Sequence, residues 1–165
     1  MIYCNARHLT VAMRICTEAH KEQVDKAGNP YILHPLRVAA AGSDLDQAVL
    51  GLLHGVVEDN PRFTLDYIRE NGFPEKIVIA LDAITKRKKE TLESYYYRAA
   101  QDNIAVMVKF HDLDDNSNPK RLELLDDDLA LYFKRKYSNA KSLLGKFILE
   151  RSRKQEADNE RAANN

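Results

Sequence analysis

Residue types that bind divalent cations stand at three widely spaced points of the chain. His34 lies in PYILHP, His54 in LLHGVVED and Asp112 in VKFHDLDDN. Neutral imidazoles and an ionised carboxylate are suitable ligands for a borderline or hard divalent cation. Such a cation can lower the pKa of a bound water and polarise a carbonyl or phosphoryl oxygen. His54 and Glu58 are four residues apart, hence on one helix face, and Asp59 follows directly. Buried acids there would need a cation or a donor, whereas a helix that surfaces at Glu58 would simply solvate them. Lys109, Asp112 and Asn116 fall at i, i+3 and i+7 and share a face. A Lys beside an Asp helps hold it ionised; the same pair at a surface would be worth only about 0.3 kcal/mol. His20 falls on the apolar face of the first helix and reads as a satisfied core histidine. His8 and His111 carry no signal of their own.

The elements that must position these residues are helical nearly throughout. Leu9, Ala12, Met13, Cys16, Ala19, His20 and Gln23 follow one helix face, ended by Gly28-Asn29-Pro30. Pro35 can open a second helix. Asp44 is a plausible N-cap for a third, running to about Asp59. Val49, Leu50, Leu52, Leu53, Val56 and Val57 make that third helix apolar on most sides, which places it mid-core. Thr64 caps a short helix ending near Asn71-Gly72, and Pro74 opens another. Further helices are expected over about 91–102, 104–116 and 127–150. Period-2 alternation is almost absent, so the expectation is an all-α fold. One domain over 1–150 precedes a polar, disordered tail at 151–165.

The chain has 165 residues, enough for one domain with one core. Its 25 basic and 25 acidic residues cancel, which argues against a general nucleic-acid binder. No segment reads as a signal peptide or a membrane span. Cys4 and Cys16 lack metal-type spacing and suit free thiols in a reducing cytoplasm.

Three blocks carry a resemblance. AHKEQVDKAGNPYILHPLRVA, LGLLHGVVEDNPRFTLDYIRENGFP and ALDAITKRKKETLESYYYRAAQDNIAVMVKFHDLDDNSNPKRL resemble, in order and spacing, the RelA/SpoT-type HD phosphohydrolases, above all the small stand-alone alarmone hydrolases. The resemblance implies a multi-helix HD domain and a divalent metal, Mn²⁺, on His34, His54 and Asp112. It implies roles for Glu58 and Asp59 in handling the attacking water. Lys26, Lys109, Asn116, Tyr97 and Arg98 would line the substrate site. The implied substrate is a nucleotide phosphate such as a guanosine 3′-diphosphate, cut at the 3′-pyrophosphate. Neither nucleic acid nor membrane is an implied partner, and the oligomeric state is left open. With no synthetase-like region following, the expectation is degradation or binding of alarmones, not synthesis.

Three departures bear on activity. Gly55 stands where the family has the Asp of its HD pair, and glycine within a helix costs about 1 kcal/mol relative to Ala. Asp25 precedes Lys26 where alarmone hydrolases carry Arg-Lys. His111 and Asp114 flank Asp112, and one of them, or a water, is expected to replace the lost ligand. The alternative is a catalytically inactive nucleotide-binding module on the same fold. The run Lys86 to Lys89 is a solvated loop or brings Lys86 or Arg87 to a substrate phosphate.

Overall fold

Local side-chain caps start most of the helices in the computed structural model, which describes residues 3–163. Asn5 and His8 satisfy each other's backbone N–H in a capping box that opens α1 (Ala6–His20). α2 spans Leu33–Ala41, with Pro35 in its first turn. Asp44 accepts the Gln47 N–H at the head of α3 (Leu45–Leu53). α4 (Val56–Asp59) follows after a break at His54-Gly55. Thr64 caps α5 (Leu65–Glu70), and the chain then turns at Gly72, whose φ of 83° suits glycine. Pro74 precedes α6 (Glu75–Ile84). Thr91 caps α7 (Leu92–Ala100), Asp102 caps α8 (Asn103–Asn116) and Asn118 caps the short α9 (Pro119–Leu122). α10 runs Asp127–Ala163. Among the described residues there is no β-strand, and the fold is all-α.

Two boundaries differ from expectation. The third helix does not run unbroken to Asp59. Gly55 is the N-cap of α4 rather than an interior residue, where glycine costs only a few tenths of a kcal/mol, roughly, against the best caps. α10 continues past residue 150 to Ala163, with residues 152–163 exposed. The part of the expected tail at 164–165 lies outside the described residues. Among these, no helix is long and apolar enough to cross a membrane.

α3 lies at the centre, with Val49, Leu50 and Leu53 wholly buried. It packs on α1, α2, α6 and α8. Its approach to α2 needs Gly51, where a Cβ would come within 2.8 Å of the Ala39 Cα. α8 joins two apolar clusters. Ala105 and Val108 belong to the main core, while Val106 and Leu113 meet Tyr95, Tyr96, Leu144 and Phe147 from α7 and α10.

Candidate metal centre

α2, the end of α3 and α8 bring His34, His54 and Asp112 together. One ligand atom from each lies within 4.8 Å of the others, and all three residues are buried. His34 Nε2 is 3.1 Å from His54 Nε2 and 3.2 Å from Asp112 Oδ1. His54 Nε2 is 3.7 Å from the same oxygen.

The ring orientations follow from what holds the other nitrogens. His34 Nδ1 donates to Asp115 Oδ2 at 2.7 Å, and His54 Nδ1 donates to the Gly51 carbonyl at 2.7 Å. Asp115 is itself gripped by Arg37, whose Nε lies 2.5 Å from Oδ1, and by Arg121. With both Nδ1 atoms tied off, both Nε2 lone pairs point toward one place beside a carboxylate oxygen. Two lone pairs at that separation repel, so the arrangement requires a proton or a cation between them. Carboxylate or carbonyl support behind a ligating histidine fixes its tautomer in metal sites. Two imidazoles and one carboxylate fit a divalent cation with open positions left for water or substrate.

The charges agree with this reading. Burial pushes the His34 imidazole down, but its bonds to Asp112 and Asp115 outweigh that and hold it above its ordinary value. Burial pushes His54 down to about 4. Burial raises the Asp112 carboxyl, yet the Lys109 charge and His34 hold it well below the usual range. Asp115 is likewise raised by burial and brought to about 2 by His34, Arg37 and Arg121. A proton on His34 would compete with a cation for the same nitrogen. The stability tied to that proton is fully present below about pH 6.5 and is lost as pH rises through the raised folded value. Metal affinity runs the other way. It should fall about tenfold per pH unit below the folded His34 value, with proton release on binding, as titration calorimetry in buffers of differing ionisation enthalpy would read. A pH-independent affinity would contradict this assignment.

Lys109 Nζ donates to Asp112 Oδ2 at 2.6 Å, and Asn116 Nδ2 donates to Oδ1 at 2.5 Å. The shared face is thus a buried network, not a surface pair: the Lys109 and Asp112 side chains are 12% and 7% exposed. Lys109 also sits 5.1 Å from the Tyr95 ring centroid.

The centre opens into a cavity of about 600 Å³. Lys26, Glu58, Asp59, Lys86, Lys109, Asp112 and Asn116 line it. The backbone N–H of Lys86 donates to Glu58 Oε2 at 2.9 Å, and Gln23 Nε2 donates to Asp59 Oδ2 at 3.3 Å. Glu58 and Asp59 are exposed, so the helix does surface there, but into the cavity. Tyr97 and Arg98 are not among the lining residues, contrary to expectation. Tyr97 packs edge-on against Phe147, and the Arg98 guanidinium is held by Glu90 and by the carbonyls of Asp82 and Thr85. Tyr95 and Tyr96 line the cavity in their place. Arg87 pairs with Asp82 instead of facing the cavity. Neither expected substitute for the lost ligand joins the three-residue group. Asp114 is 65% exposed and pairs with Lys141, and His111 lies outside the cluster.

Sequence reasoning passed over Asp115, Arg37 and Arg121, which orient His34, and the α10 wall of Phe133, Lys136 and Tyr137. Phe133 and Tyr137 stack at 5.6 Å with Lys136 over both rings. The i, i+3 spacing of Arg37 from His34 and of Asp115 from Asp112 was a usable signal.

Comparison with known proteins gives relatives of two names. A guanosine-3′,5′-bis(diphosphate) 3′-pyrophosphohydrolase of Aquifex aeolicus is 32% identical over 147 residues, 78% of this chain and 21% of that protein. A GTP pyrophosphokinase of Streptomyces coelicolor is 30% identical over 119 residues, 64% of this chain and 14% of that protein. A further guanosine-3′,5′-bis(diphosphate) 3′-pyrophosphohydrolase, from Borreliella burgdorferi, is 27% identical over 116 residues, 61% of this chain and 17% of that protein. The chain thus spans about a fifth or less of the length of these relatives. No family model matches it.

Proposed function

We propose that the chain is an HD-type, divalent-metal-dependent phosphohydrolase acting on a nucleotide phosphate, with guanosine 3′,5′-bis(diphosphate) as the leading substrate, cut at its 3′-pyrophosphate. Matched relatives carry hydrolase and pyrophosphokinase names alike, so similarity alone does not choose between those activities. The observation that carries the reading is the convergence of two imidazole nitrogens and the Asp112 carboxylate beside a cavity lined by both lysines and carboxylates. A divalent cation held there beside Glu58 and Asp59 would activate a water, which supports hydrolysis over pyrophosphate transfer.

In this reading His34, His54 and Asp112 hold the metal, Mn²⁺ by the resemblance. When bound, the metal lowers the pKa of a water and neutralises charge on a phosphoryl oxygen. Lys26, Lys86 and Lys136 supply positive charge at the cavity wall for the phosphates. The half-buried Phe133–Tyr137 stack offers a flat surface to a base, while Tyr95 and Tyr96, buried beneath Lys109, back the cavity wall. Glu58 and Asp59 orient the attacking water; its oxygen would bond to the phosphorus next to the 3′-oxygen, a carboxylate oxygen of one would take its proton, and the P–O bond to the 3′-oxygen would break, that oxygen taking a proton from solvent as pyrophosphate leaves. Asn116 holds Asp112 in place as well as facing the nucleotide.

Gly55 favours a second reading, a nucleotide-binding module without turnover, because it withholds the fourth ligand. The test is Mn²⁺-dependent release of pyrophosphate or phosphate from a nucleotide panel that includes guanosine 3′,5′-bis(diphosphate), with binding measured in parallel. Metal-dependent release that a chelator abolishes is expected. Binding without release from any nucleotide would replace the hydrolase with the module, and neither binding nor release would sink both.

A further inference from the structure

His20 is not the satisfied core histidine its helix face suggests. It is 2% exposed, and its Nε2 is buried with no hydrogen-bond partner. Its tautomer follows from its neighbours. The amide nitrogen of Gln23 donates to Asp59 Oδ2, which turns the amide oxygen toward His20. That oxygen lies 2.7 Å from His20 Nδ1, so Nδ1 is the donor and Nε2 carries a free lone pair. A buried acceptor without a donor is costly and uncommon.

Gly55 lies beside it. A Cβ at Gly55 would be 3.4 Å from Tyr31 Oη, 3.6 Å from Asp59 Oδ2 and 3.8 Å from His20 Cε1. The glycine therefore opens a notch the size of one small group, rimmed by a phenol, a carboxylate and an imidazole. Tyr31 and Asp59 also line the main cavity. Buried waters characteristically make about three hydrogen bonds to such groups.

We infer that the Gly55 notch is a site for one ordered water, which donates to His20 Nε2 and Asp59 Oδ2 and accepts the Tyr31 hydroxyl hydrogen. The water gives the orphaned nitrogen its donor. It also gives Asp59 Oδ2 a second donor beside Gln23, so His20 is a positioning residue for Asp59. The water site stands on geometry alone; the consequence for catalysis rests on the hydrolase reading.

A crystal structure of the whole chain at a resolution that shows ordered waters should place density within hydrogen-bonding distance of all three atoms. An empty notch, or density that does not reach His20 Nε2, would overturn the proposal. Gly55→Ala supplies an independent test. At φ −100° and ψ −12° the backbone accepts alanine, and the added methyl meets only ordinary contacts. In a dry notch the change should raise Tm, because alanine restricts the unfolded chain. With the water displaced and His20 Nε2 stranded, Tm should instead fall by about 3 °C. In a His20→Phe background that penalty should vanish. A higher Tm for Gly55→Ala in the parent chain, or an equal penalty in the Phe background, would contradict the site. If the chain turns over nucleotide, Gly55→Ala should also lower kcat with KM unchanged, whereas an unchanged kcat would remove the positioning role of His20. Absence of turnover would remove the hydrolase reading and leave the crystallographic and melting results to decide the water.

Discussion

Asp112→Ala is expected to lower Tm by about 10 °C and to abolish divalent-metal binding. The two losses have separate causes. Asp112 balances Lys109 at 2.6 Å, and both side chains are largely withdrawn from water. Removing one partner of such a pair leaves an uncompensated buried charge, typically a loss of about 3–5 kcal/mol. Lys109 has few alternatives: its ammonium otherwise faces the rings of Tyr95 and Tyr96. Its proton is held well above the ordinary lysine value against the pull of burial chiefly by the Asp112 charge. The double variant Asp112→Ala, Lys109→Met removes both charges and should recover most of the lost stability, since a well-packed apolar pair is often as stable as the buried ion pair it replaces. Metal binding should stay lost in both. Thermal melts of the four members of this cycle, with calorimetric metal titrations beside them, read the two effects independently. If the single variant melted with the parent, Lys109 would not depend on Asp112. If it still bound metal with parental affinity, Asp112 would not belong to the centre.

How much of this could be read from the sequence depended on how local the cause was. Asp44 and Thr64 were readable as caps because each bonds a backbone N–H three residues on. The Lys109–Asp112–Asn116 face was readable because helix periodicity brings those positions together wherever the helix lies. Its burial was not, since an exposed ion pair has the same spacing. The orientation of His34 depends on Asp115, 81 residues away, and only folding joins them. Tyr97 was the wrong member of its triplet because one residue along a helix turns the side chain by about 100°. The break at His54-Gly55 hid behind continued apolar patterning: Val56 beyond it is as buried as Leu53 before it. α10 outran its apolar pattern because the Glu, Lys, Arg and Ala that follow are themselves good helix formers. The unpartnered nitrogen of His20 had no signature at all, because apolar neighbours make a satisfied and an unsatisfied histidine look alike.

Gly55→Asp should tighten Mn²⁺ binding by at least about tenfold, or 1.4 kcal/mol, while lowering the Tm of the metal-free protein. The parent centre offers two imidazoles and one carboxylate already shared with Lys109 and Asn116, a set that suits Zn²⁺ better than the oxygen-preferring Mn²⁺. A second carboxylate at position 55 restores anionic oxygen to the set. It can be accommodated, because its Cβ meets Tyr31, Asp59 and His20 at ordinary contact distances and the backbone there is in a common conformation. Without metal, however, its charge sits against the Asp59 carboxylate, whose Oδ2 would lie 3.6 Å from the new Cβ. Like charges at such range repel, and metal relieves the repulsion by drawing the new carboxylate toward the histidines. The variant should thus be less stable than the parent in chelator and gain more from saturating Mn²⁺. Its Zn²⁺ affinity should change less than its Mn²⁺ affinity. Hydrolysis of the nucleotide panel by the pair then gives the glycine its meaning. Turnover by both chains makes three ligands sufficient and the parent a working hydrolase. Turnover by the variant alone makes Gly55 the single change that separates an intact pocket from its chemistry, and the parent a nucleotide-binding module. Equal Mn²⁺ affinity in the two chains would show that position 55 does not face the metal, and the centre would have to be reassigned.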